Sequence, residues 1–268
     1  MTALPMPRSD SRLWRDAPAF TGLALFIALT ALPLLAAAAI DTRTFLDAPV
    51  WQKPLQFHLA LSIYTITLAF FARFLPSGMQ SRRWRMYARA VCFCILAELV
   101  WVGGAASYGT ASHFNSDSVI MGILYGLMGV FAVILTSASL VMGIGIGRNL
   151  TTGLNPALHL AIALGLILTF ILTLVAAGTL SSQTGHLVGT PVTHAALPML
   201  GWSREVGDLR VAHFFATHAL HALPIVGYGA GRLLSQTQAR AVVWAAAATY
   251  TALVAATMVQ AFQGHPFL

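Results

Sequence analysis

The sequence predicts an all-α, polytopic membrane protein of seven transmembrane helices, forming a single integral membrane domain over residues 1–268. Three observations predict it. The chain is 57% hydrophobic and 9% charged, against about 25% charged in a soluble domain, so it has too few polar groups to cover an aqueous surface. Apolar stretches long enough for about 30 Å of hydrocarbon fall near residues 18–40, 55–75, 88–107, 118–147, 157–180, 209–231 and 240–263. The basic residues fall in alternate connections, which fixes an orientation with the amino terminus cytoplasmic and the carboxyl terminus extracytoplasmic.

The elements follow in order. Arg8, Arg12 and Arg15 precede the first stretch, whose apolar region exceeds the roughly 7 to 15 residues of a secretory signal core and is expected to be a retained span. Pro54 suits the first turn of the second span. Arg82, Arg83, Arg85 and Arg89 lie between the second and third spans, and Arg148 closes the fourth. Asn155 caps the fifth ahead of Pro156, and Asp208 caps the sixth. Within the sixth, Pro224 should kink the helix and free the carbonyl of Leu220. Arg232 and Arg240 flank the connection to the seventh, while Asp41, Asp47, Asp117, Glu205 and Asp208 mark the opposite, outer side.

The +7 net charge is accounted for by arginines beside inner-leaflet headgroups, with no nucleic acid required. Cys92 and Cys94 point about 200° apart on a helix and cannot bond to each other. The endings GIGIGR (143–148) and GYGAGR (227–232) echo one another. They read as helix-packing glycines rather than a dinucleotide fingerprint, because no strand precedes them. Gly122 and Gly126 are a second small-residue packing signal. Trp101 and Tyr108 read as interface-belt residues.

Chemistry concentrates in HFFATHALH at 213–221, three histidines inside an apolar stretch. Ionisable groups in hydrocarbon are costly enough to mark function by default. At 1.5 Å per residue, His213 and His58 lie about 7 Å below the outer boundary, and His218 and Glu98 about 15 Å below it. His113 and His186 sit in outer connections, the longer of which, 181–208, has the length of a lid. His218 lies about 140° round the helix from His213, so the three helix histidines do not meet one ion. The groupings expected are His213 with a loop histidine or His58, and His218 with Glu98. No pair of histidines four apart, as in helical zinc enzymes, is present.

The segments WQKPLQF (51–57), ASHFN (111–115), GHLVG (185–189) and GWSREVGDLRVAHFFATHAL (201–220) resemble those of a family of uncharacterised bacterial seven-helix inner-membrane proteins. The resemblance spans the second to sixth helices and brings no activity or cofactor. It implies an inner-membrane location and that Glu98, His113, His186, His213 and His218 are typical positions, with His58 and His221 particular to this chain.

The function expected first is a membrane redox protein or oxidoreductase. Haem b or a transition metal would be held near the outer face by His113, His186 and His213, with His213 and His218 as metal ligands and Glu98 and His218 as catalytic groups. A haem would be non-covalent, since no CxxCH motif occurs. The expected partners are the bilayer and a quinone or other apolar small molecule. The alternatives are a metal-dependent hydrolase of a lipid-like substrate with Glu98 as base, and a proton-coupled transporter with Glu98 and His218 as relay. The hydrolase plan resembles the progestin/adipoQ receptor and ceramidase group, whose histidine pair on the last helix is missing here. A retinal protein is excluded because the seventh span has no lysine for a Schiff base.

Overall fold

A computed structural model describes residues 11–45, 48–115 and 118–268. Arg8, Asp47 and Asp117, which contribute to the charge asymmetry, lie outside the described residues. The architecture is all-helical: α1 (Ser11–Asp16), α2 (Pro18–Ile40), α3 (Gln52–Phe71), α4 (Arg82–Ser107), α5 (Val119–Arg148), α6 (Pro156–Ser181), α7 (Arg210–Leu233) and α8 (Gln236–Phe262). Six helices, all the long ones except α7, are long and apolar enough to cross a membrane. α7 is 24 residues long and matches them in length, but its three histidines and Pro224 lower its mean hydropathy.

α4 starts six residues earlier than the apolar pattern predicts, at Arg82. Its arginine-rich first turns lower hydropathy without opposing helix, because arginine is a good helix former. Ser81 caps that start by accepting the Trp84 N–H, and Asn155 caps α6 through the Ala157 N–H at 2.9 Å. Asp208 lies one residue outside the α7 cap position, yet its carboxylate takes the Arg210 N–H at 3.0 Å.

α2 and α4 flank α3, α5 joins α4 to α6, and α7 lies against α6 and α8. Apolar residues of α2 to α6 (Phe20, Ile27, Leu68, Ile95, Met142, Leu166) fill a common core with Leu220 of α7. In lipid, small residues that let backbones approach do much of the helix pairing. A Cβ at Gly165 of α6 would lie 2.9 Å from the Ala219 carbonyl oxygen and 3.2 Å from Cδ of Pro224, and one at Gly143 2.9 Å from Leu166. Gly227 is pressed against Ala161, with no room for a side chain. Several of the echoed glycines thus serve packing. Gly122 and Gly126 have open space where a Cβ would stand, so among the described residues that pair meets nothing.

α7 continues through Pro224. One turn before the proline, the Leu220 N–H donates across to Thr169 Oγ1 of α6 at 2.8 Å. This bond engages the Leu220 N–H, not the Leu220 carbonyl that Pro224 leaves without its intrahelical donor.

The connection between α6 and α7 is a built object. Strands β1 (Thr44–Phe45) and β2 (Ala48–Pro49) pair in the connection between α2 and α3, and β3 (Leu187–Val188) and β4 (Gly207–Asp208) pair antiparallel in this one. An isolated bridge joins Ala196 and Ser203. The Glu205 carboxylate accepts the N–H groups of Val192 (2.7 Å), Thr193 (3.0 Å) and Ala195 (2.7 Å) and the Thr193 hydroxyl (2.6 Å). These bonds hold its pKa down to about 2. The tip turns at Met199 (φ 63°) and Gly201 (φ 69°). It is tied to α3 by Gln56 Nε2 donating to the Met199 carbonyl at 2.5 Å, and to α7 by Arg210 donating to the Gly201 carbonyl at 2.5 Å. Trp202 packs edge-on against Phe214 and Phe267, which brings the C-terminal segment to the same end of the bundle.

Candidate functional site

The long connection sits over the start of α7, where the Leu209 N–H donates to the His186 carbonyl at 3.0 Å. Beneath it, α3 and α7 face each other through side chains rather than by close backbone packing. That interval holds the polar groups.

From α3 come Lys53, Phe57 and Thr67. Lys53 and Phe57, four apart, share one face of the helix. Phe57 meets His113 edge-on with ring centroids 5.6 Å apart, so Lys53 stands one turn above on the His113 side. His113 is braced further by Tyr125 of α5 at 5.9 Å and by the Ser112 hydroxyl, 3.0 Å from its Nδ1. Trp101 of α4 donates its indole N–H to the Ser112 carbonyl at 2.7 Å. That corrects the interface-belt reading: Trp101 anchors the loop carrying His113. Tyr108, 87% exposed, has the exposure an interface residue needs. Glu98 lies one turn below Trp101 on the same helix and is 4% exposed.

α7 supplies three imidazoles. His213 Nδ1 is buried without a hydrogen-bond partner, a rare condition for a buried polar atom. His218 stacks on Phe214 with centroids 4.1 Å apart, and its Nδ1 faces the Phe214 carbonyl at 2.7 Å. A carbonyl only accepts, so when His218 is neutral its proton is on Nδ1 and Nε2 carries the free lone pair. His221 lies beyond, 5.5 Å from the His218 ring, and its Nε2 pairs with Thr67 Oγ1 of α3 at 3.0 Å.

Electrostatics tie these levels together. Lys53 is within the field of Glu98, His113, His186 and Arg210, and His113 is within that of His213. Burial, with Lys53 and His213 adding to it, pushes His113 down to about 3. Burial and Arg210 push His186 down to about 4. Both loop imidazoles are therefore neutral at ordinary pH. Arg210 itself is committed: it pairs with Asp208 at 2.6 Å, and the Asp208 side chain is wholly buried.

The structure places His113 within the field of His213 and His213 within that of His218, sets Lys53 in the field of Glu98, and lays the His186 segment over the start of α7. Its pairings differ in two respects from those expected. Glu98 has Lys53 rather than His218 as its charged neighbour. His58 turns its Nδ1 onto the Pro54 carbonyl at 2.8 Å, a bond within its own helix, and so is no partner for His213. His159 bonds the Ile146 carbonyl across α5 and α6 at 2.7 Å, a packing role. Among the described residues, no three His, Cys, Asp or Glu side chains gather as a metal-ion ligand set. An ion on His213 and His218 therefore lacks a third donor from those types.

Lys53 is the group sequence reasoning passed over. Its signal was its singularity: it is the one lysine in 268 residues, in a chain that otherwise uses arginine for positive charge. No family model, curated protein or solved structure matches this chain.

Proposed function

We propose that this is a seven-span protein of the bacterial inner membrane, amino terminus in the cytoplasm, whose cleft near the outer face binds a lipid-soluble carbonyl compound of the quinone class. It exchanges protons with that compound as part of a membrane redox reaction. The observation that carries the reading is His213 Nδ1, buried without a hydrogen-bond partner, with Lys53, Glu98 and His113 in the same electrostatic neighbourhood. Unmatched donors and acceptors in an apolar cleft supply what a carbonyl headgroup needs, namely hydrogen bonds to oxygen and a nearby proton acceptor. Quinones reach such a cleft from the bilayer.

The test is equilibrium binding of decylubiquinone to the purified chain in nanodiscs, read by quenching of tryptophan fluorescence. Saturable binding is expected, and only non-saturable partitioning, as into empty nanodiscs, would overturn the reading. A second reading, haem b between His113 and His213, is favoured by their placement on different elements and by the unbonded nitrogens of His213. An intense Soret band in the purified protein would replace the first reading with this one.

The orientation is testable separately. With Cys92 and Cys94 replaced by Ser, a cysteine at Ser182→Cys should react with an impermeant maleimide in intact spheroplasts. Reaction only after lysis would reverse the topology.

A further inference from the structure

Two imidazoles of α7 are each held by one nitrogen, and the bonds that hold them fix their tautomers. His218 Nδ1 faces the Phe214 carbonyl at 2.7 Å and Thr217 Oγ1 at 3.0 Å, and that hydroxyl donates its own proton to the same carbonyl at 2.9 Å. Both neighbours accept, so the proton of neutral His218 is on Nδ1 and its lone pair on Nε2. His221 is held from α3. Its Nε2 meets Thr67 Oγ1 at 3.0 Å, and the Thr67 hydroxyl donates to the Ile63 carbonyl at 2.7 Å. With that proton placed, Thr67 accepts from His221, so Nε2 is the protonated nitrogen and Nδ1 carries the lone pair. Histidines that bind metals show this pattern: the nitrogen turned away from the ion donates to a carbonyl or another fixed acceptor, which sets the tautomer and aims the ring. His218 and His221 are three residues apart and so neighbours on the surface of α7. Their ring centroids are 5.5 Å apart, with the planes at 49°. For nitrogen–metal bonds of about 2 Å, that separation suits two imidazoles on one ion, roughly 120° apart around it.

The donor set selects among metals. Among the described residues no group of three His, Cys, Asp or Glu side chains gathers around an ion, so the pair offers two neutral nitrogens and no compensating negative charge. Burying an ion costs more the higher its uncompensated charge. A divalent ion such as zinc also asks for four ligands, and is poorly served between α3 and α7. Copper(I) carries one charge, has a filled d shell that makes no demand for a fourth ligand, and copper accepts imidazole readily. We infer that His218 Nε2 and His221 Nδ1 form a two-histidine copper(I) site, with Thr67 as the positioning residue that holds the His221 tautomer and with a third position on the ion open to an exogenous donor. The site is independent of the quinone reading, which is carried by His213.

The experiment is an anaerobic copper(I) titration of the tag-free full chain in nanodiscs, in competition with bicinchoninate, with zinc(II) titrated separately. One copper(I) per chain is expected, bound at least about tenfold more tightly than zinc(II), and X-ray absorption should show two imidazole nitrogens on the ion. Thr67→Val keeps both imidazoles and the shape of the side chain. It should weaken copper(I) by about 10- to 100-fold, the effect of removing a hydrogen bond behind a ligand histidine. His221→Ala should weaken it further, and His265→Ala, which removes an exposed histidine outside α7, should leave it unchanged. If His221→Ala fails to fold, Thr67→Val decides. Copper(I) uptake no greater than by empty nanodiscs, or zinc(II) bound as tightly, would overturn the inference on the wild-type chain alone. So would a loss in His265→Ala equal to that in His221→Ala, or folded Thr67→Val and His221→Ala chains that both keep wild-type affinity.

Discussion

His213→Ala should weaken decylubiquinone binding at least about tenfold, the loss expected for one hydrogen bond of roughly 1.4 kcal/mol to a ligand in an apolar site, while the folded chain persists. The separation of the two effects is the informative part. The His213 imidazole has an unpartnered buried Nδ1 and no protein hydrogen bond at Nε2, so its removal breaks no hydrogen bond within the bundle and relieves an unsatisfied polar atom. His218→Ala differs, because it removes the stack on Phe214 and the bond to the Phe214 carbonyl. That variant should lose thermal stability as well as affinity. Binding curves and thermal unfolding of the two variants in the same nanodiscs test the pair. Unchanged affinity in His213→Ala would take α7 out of the site.

Asp208→Ala should be the more damaging change to stability, lowering it by about 3 kcal/mol, at the lower end of the range for breaking a buried ion pair, since Arg210 keeps some contact with water. The carboxylate carries three separate duties. It binds the Arg210 guanidinium at 2.6 Å, accepts the Arg210 N–H that opens α7, and accepts the Ser203 N–H at 3.1 Å. Its loss frees a guanidinium beside Lys53 and unpins the loop from α7 in one step. Asp208→Asn, which can still accept two of these bonds, should fall between. Thermal unfolding in detergent checks the series, and an Asp208→Ala transition within a degree or two of wild type would show that the pair contributes little.

The helical plan was legible because apolar runs of membrane length have few alternative uses. All seven predicted stretches correspond to helices, and six meet the length and composition of a span. α7 is the weakest by hydropathy for the reason that makes it chemically interesting: His213, His218 and His221 exchange apolar character for function. The loop between α6 and α7 was legible only as a long connection. Two-residue strands such as β3 and β4 leave no periodic signal, and the Glu205 network depends on a single side chain.

Counting residues along helices orders His213 and Glu98 along their spans but does not name their partners. Partners depend on which faces turn inward, and Trp101 shows how that fails: its position suggested the membrane interface, whereas its indole holds the His113 loop. Lys53 went unassigned because a charge at the start of a span ordinarily reaches out to the headgroups. The close contact of its helix neighbour Phe57 with His113 is a fact of packing that no spacing rule contains.

The Glu205 clasp has a consequence for assembly. Its bonds reach back only 10 to 13 residues along the chain, and the β3–β4 pairing closes on the same stretch. Contacts so local form quickly, because little chain entropy is lost in closing a short loop. The cap can therefore take shape as a near-autonomous unit, ahead of helix docking. It would meet the bundle already folded, engaging through Gln56, Arg210 and the face of Gly207 that rests on Ala261 of α8. On this order of events the roof over the cleft is a ready-made part, and the last docking step determines whether the site is covered.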